Sequence, residues 1–102
     1  MTTDTVIEKK KQTSRQVKEP SKYKVVVCND DVTPMEFVIY MLMSIFKLDQ
    51  NKSTELTLTI HTQGSGIAGV YRHEIAEQKA SDATNLARSH NFPLIIKVEE
   101  EK

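Results

Sequence analysis

The feature that most restricts the fold is the junction YKVVVCNDDVTPMEF, residues 23–37, where a β-branched run meets a strongly marked helix start. Tyr23 to Cys28 reads as a buried or half-buried strand bounded by polar residues. Thr33 is placed as an N-cap, Pro34 at the first helical position where its missing N–H costs nothing, and Glu36 three residues after the cap, completing a capping box. Val32 and Phe37 are spaced for a hydrophobic staple. Met35, Val38, Ile39, Leu42, Ile45 and Phe46 then recur at helical spacing, an apolar stripe suited to lie on a sheet.

The chain beyond this junction is less uniform in its signals. In ELTLTIH, Leu56, Leu58 and Ile60 alternate with Thr57 and Thr59 as in a strand, and threonine is a poor helix former. Asp49 upstream nevertheless suits an N-cap, and Gly64-Ser65-Gly66 suits a helix C-cap as well as a hairpin turn. Gly66 to Arg72 reads as a short strand. Ile75, Ala76, Lys79, Ala83, Leu86, Ala87 and His90 trace a second helical stripe, which Pro93 stops. Leu94 to Val98 is the last strand, before a charged end.

With 102 residues, 38% hydrophobic and 27% charged, the chain supports one domain with one modest core. It has no apolar run near the roughly 20 residues of a membrane helix, and MTTDTVIEKK lacks the apolar centre of a secretory signal, so a cytoplasmic location is expected. The zero net charge conceals an asymmetry. The first 22 residues hold six Lys and Arg against three acids, and the rest holds eight against eleven, which argues against a nucleic-acid-binding body. Residues 1–22, poor in apolar residues and carrying Pro20, read as a flexible extension and a possible tether, and residues 23–102 as the folded domain.

Few residues are chemically suggestive. Cys28 has no partner for a disulfide or a C-x-x-C metal pair and reads as a small apolar strand residue. Asn29, Asp30 and Asp31 follow the strand, where such side chains commonly bond their own backbone and favour a helix N-terminus. A metal site of Asp30, Asp31 and His61 lacks any spacing signature of the H-E-x-x-H kind. His73 and His90 are solitary. A nucleophile motif and a phosphate loop are both missing, which weakens an enzyme reading in which Asp31 and His61 form an acid–base pair.

Taken together, YKVVVCNDDVTPMEFVIYML, TIHTQGSGIAGVY, EIAEQKA and FPLIIKVEE resemble the ClpS adaptor family from Tyr23 to the C-terminus. The resemblance implies an α/β (α+β) domain of three helices packed on a three-stranded antiparallel sheet, with ELTLTIH helical despite its alternation. It implies an adaptor without catalysis, cofactor or metal, which binds N-degron substrates by their bulky hydrophobic first residue and delivers them to a Clp AAA+ unfoldase–protease. Carried over by position, Asn29, Asp31 and His61 match the ligands of the substrate α-amine and first peptide, with Asp30 and Thr33 beside them. Met35, Val38, Thr57, Ile60 and Leu94 match the hydrophobic pocket, and Glu74 and Lys79 the surface that docks on the N-terminal domain of a ClpA- or ClpC-type unfoldase. The location implied is the bacterial cytoplasm or a plastid stroma. Two departures stand out: Thr57 where the family usually has an apolar residue, often methionine, and Arg72 where it often has a helix-capping threonine. The competing reading is an interaction domain of the ribosome-stalk kind, with no affinity for free peptide N-termini.

Overall fold

The computed structural model describes residues 21–101. The expected N-terminal extension therefore lies outside the described residues except for Ser21 and Lys22, and Lys22 already belongs to the first strand. The elements run β1 (Lys22–Cys28), α1 (Met35–Ile45), α2 (Gln50–Gln63), β2 (Ser65–Arg72), α3 (His73–Ser89) and β3 (Ile95–Glu100).

β1 is the central strand, antiparallel to β2 on one side and to β3 on the other. Its central position matches its composition, because Val25, Val26 and Val27 are all buried. The β1–β2 register shifts between Val25 and Val26, where Val25 opposes Gly69 and Val26 opposes Ile67. Ala68 is the extra residue of this bulge, and it is buried in the core.

α3 lies across all three strands, and α2 packs on β2 and against α1. The inner face of α3 is almost wholly alanine, with Ala76, Ala80, Ala83 and Ala87 buried, so its backbone can approach the sheet closely. α1 contributes the larger side chains Phe37, Val38, Met41 and Leu42 to the same core. Ile75, expected on the inner stripe of α3, is exposed instead.

ELTLTIH is helical, because the caps and the packing outweigh its alternation. Asp49 accepts the Lys52 N–H at 2.8 Å, and Gly64 closes the helix in a left-handed conformation, φ 94°, donating its N–H to Ile60 O at 2.9 Å. The strand reading would face Leu56, Leu58 and Ile60 one way, but in the helix Leu58 is exposed while Thr57 and Ile60 are buried. The threonine hydroxyls bond back to the helix, Thr59 to Glu55 O at 3.2 Å and Thr62 to Leu58 O at 2.9 Å.

The expected capping box of α1 does not form. The helix begins at Met35 with Pro34, in extended conformation (ψ 150°), as its cap residue and no side-chain cap bond. Thr33 is diverted because its hydroxyl donates to Asp30. The staple is absent as well, since Val32 is 62% exposed, while Phe37 packs edge-on against Phe92 with centroids 4.9 Å apart.

Candidate functional site: an apolar cavity with a polar rim

The site is assembled where β1 ends, α1 begins and α2 finishes. The Asn29 N–H donates to Gly64 O at 2.9 Å, tying the exit of β1 to the cap of α2 and holding Asn29 and His61 to the same side of the molecule. The chain then turns around Asp30. One carboxylate oxygen of Asp30 accepts the N–H groups of Val32 at 2.7 Å and Thr33 at 2.8 Å, and the other accepts the Thr33 hydroxyl at 2.7 Å. Burial alone would raise the Asp30 pKa. The Thr33 and Val32 bonds outweigh it, with help from the positive charge of Arg88, and hold the carboxyl below its usual 3.8.

Asp31, the next residue, is exposed, and among the described residues no hydrogen bond or ion pair reaches its carboxylate. The two adjacent acids thus differ in availability. Asp30 is occupied by its own turn, and Asp31 projects from that turn with its acceptors open.

Asn29, Asp30, Asp31, Thr33, Met35, Val38, Thr57, Ile60 and His61 surround one cavity of about 170 Å³. α2 supplies Thr57, Ile60 and His61 at i, i+3 and i+4, so two wall residues and the imidazole share one helical face. α1 supplies Met35 and Val38 from its first turn, and the Phe37 contact with Phe92 anchors that turn. Gly66 keeps the Ile60 wall in place. A Cβ at Gly66 would lie 2.8 Å from Leu56 Cδ1 and 2.9 Å from Ile60 Cγ1, forcing one of them to shift. The Thr57 hydroxyl donates to Ser53 O at 2.7 Å.

Nine of the residues expected from sequence are therefore brought together, and Leu94 is not among them. Leu94 is 1% exposed in the core cluster that also holds Val38 and Ile60, and Arg88 Nη1 donates to its carbonyl and to that of Phe92, each at 2.8 Å. Among the described residues no three His, Cys, Asp or Glu side chains form a group able to hold a metal ion.

Glu74 and Lys79 lie apart from this cavity on α3. Glu74 is exposed in the first turn. Lys79 is partly buried, its ammonium donating to Ile45 O at the end of α1 at 2.8 Å and lying 5.9 Å from the centre of the Tyr71 ring. Nothing in the sequence spacing marks that bond between helices. Arg72 occupies the N-cap of α3 without a side-chain cap bond.

Residues 18–97 match the family model described as ATP-dependent Clp protease adaptor protein ClpS. The chain belongs to the ClpS family. It is 50% identical over 94 residues to the ClpS adapter protein of Campylobacter jejuni subsp. jejuni, covering 90% of this chain and 98% of that one. To the ClpS adapter protein of Shewanella pealeana it is 46% identical over 85 residues, 83% of each chain. Among solved structures, Agrobacterium tumefaciens ClpS2 bound to L-phenylalaninamide matches with a TM-score of 0.79 and 38% identity, covering 81% of this chain and all of that one. The three helices, the three-stranded antiparallel sheet and the adaptor role are thus those of ClpS.

Proposed function

We propose that the cavity receives the first residue of a substrate protein, with the α-amine held at its rim and the side chain inside. The observation that carries this reading is the joining of an open carboxylate, an amide and an imidazole to an apolar cavity of about 170 Å³. A free α-ammonium offers three donors and one positive charge, which the Asp31 carboxylate, the Asn29 amide oxygen and a His61 ring nitrogen can meet together. An acetylated terminus offers neither. Cavities of about 150 Å³ lined by apolar side chains hold benzene, so this one, at about 170 Å³, has room for a single aromatic ring.

Met35, Val38, Thr57 and Ile60 form the walls in this reading, Leu94 belongs to the core cluster that holds Val38 and Ile60, and Asp30 with Thr33 shapes the turn that presents Asp31. L-phenylalaninamide, the ligand of the Agrobacterium protein, has this chemistry: a free α-amine, an aromatic side chain and an amide where a second residue would follow. The chain transforms no substrate chemically. It passes its cargo to a Clp unfoldase of the ClpA or ClpC type, docking through the α3 surface around Glu74 and Lys79, in the cytoplasm to which its bacterial relatives point.

The test is a panel of peptides differing only in their first residue. Peptides beginning with Phe, Tyr, Trp or Leu are expected to bind, and those beginning with Val, Ile, Glu or Arg far more weakly, because Met35 crowds a β-branched side chain and an apolar wall penalises charge. Equal affinity across the panel, or undiminished affinity after N-acetylation, overturns the reading.

A further inference from the structure

Among the described residues one buried side-chain polar atom has no hydrogen-bond partner, the Oγ of Ser53, which is fully buried. Buried hydroxyls are nearly always partnered, so an exception calls for a reason. Ser53 lies one helical turn before Thr57 on the inward face of α2. Helical side chains lean toward the N-terminus, so Thr57 is directed back toward the turn that carries Ser53. Thr57 lines the cavity, and its proton is committed to Ser53 O at 2.7 Å. A hydroxyl that has donated its single proton can only accept. Among the wall residues Met35, Val38, Thr57 and Ile60, the nearly fully buried Thr57 therefore carries an acceptor, and the buried Ser53 hydroxyl one turn before it on the same helix is free to accept or donate.

We propose that Thr57, supported by Ser53, selects a first residue with a hydrogen-bond donor at the far end of its ring, and so favours tyrosine over phenylalanine. The proposal rests on the reading of the cavity as the seat of the first side chain. A wholly aliphatic pocket would favour phenylalanine, since a phenol entering it gives up its bonds to water without replacement. Here the phenol proton finds the Thr57 oxygen, and the unpartnered Ser53 hydroxyl one turn behind it is a second polar group at that depth of the helix.

The experiment measures binding of the full chain to two peptides identical except for Phe or Tyr in first position, each also in N-acetylated form. The unmodified protein is expected to bind the Tyr peptide about 2–10-fold tighter, the effect of one net hydrogen bond. Thr57→Val keeps the shape and removes the acceptor, and should abolish or invert that ratio. Thr57→Ser, which restores a hydroxyl, should recover it, and Ser53→Ala should reduce it part-way. Tighter binding of Phe by the unmodified protein overturns the proposal, as does a Tyr/Phe ratio that Thr57→Val leaves unmoved, and in both cases the α-amine reading survives if acetylation still blocks binding. Acetylated and free peptides binding alike overturns both.

Discussion

Helices α2 and α3 pack on the same sheet with opposite inner faces. α3 presents Ala76, Ala80, Ala83 and Ala87, the residue with the best helix propensity and no side-chain entropy to lose, across all three strands. α2 presents Ser53, Thr57 and Ile60, among them a buried hydroxyl with no partner among the described residues and two β-branched residues unfavourable in helices, against α1 and the edge strand β2. Stability alone would not choose the second set. The helix that departs from good helical composition is the one that walls the cavity, and the compliant helix is the scaffold behind it.

This division predicts that substitutions in the two regions separate into losses of binding and losses of stability. The largest separation is expected at Asp31. Asp31→Ala should weaken a peptide with a hydrophobic first residue about 10–150-fold, the range for hydrogen bonds to a charged group, with little change in the unfolding midpoint. The loss should overlap with that from N-acetylating the peptide, so that together they cost far less than their sum. A melting temperature that falls while affinity holds would reassign Asp31 to the fold.

Ala83→Leu probes the scaffold. Overpacking this fully buried site should cost about 1–3 kcal/mol, seen in thermal unfolding as about 4–8 °C for each kcal/mol, while the protein that remains folded binds peptide as before. Matching losses in affinity would show that the two regions are coupled.

The smallest effect is expected at Asp30 and should depend on pH. Its carboxyl titrates lower in the fold than its usual 3.8, so the ionised form stabilises the turn fully above that value and the contribution fades as pH falls below it. Asp30→Asn should therefore lose about 1 kcal/mol at pH 7, on the scale of a lost cap bond, and the gap between the two proteins should close in acid. Thermal unfolding at pH 7 and pH 3 checks this, and a gap that widens in acid refutes it.

These residues also mark how far the sequence could be read. β1 and the α3 stripe, apart from Ile75, were legible because each depends on nearby residues, whereas Asp49 and Gly64 could be read only as suiting a cap, with a hairpin turn equally open at Gly64. Helicity at ELTLTIH was legible only through the family resemblance, since local alternation points to a strand and the decisive contacts come from α1 and β2. The Thr33 capping box was legible and yet unrealised, because Asp30 competes for the same hydroxyl and both arrangements satisfy local rules. Burial of Met41 went unread, as it lies off the expected stripe. The Lys79–Ile45 bond joins residues distant in sequence and leaves no trace in spacing.

β1 has one further consequence. It runs from Lys22 to Cys28, about 20 Å at the usual rise per residue, and Asn29 at the rim follows its last residue. Tyr23, at its other end, pairs with Glu100 near the close of β3, and the Glu101 N–H returns to Lys22 O at 2.8 Å. Both ends of the folded region thus emerge side by side, at the pole opposite the cavity. A dye, an affinity tag or a surface anchor attached at this pole would leave the mouth unobstructed.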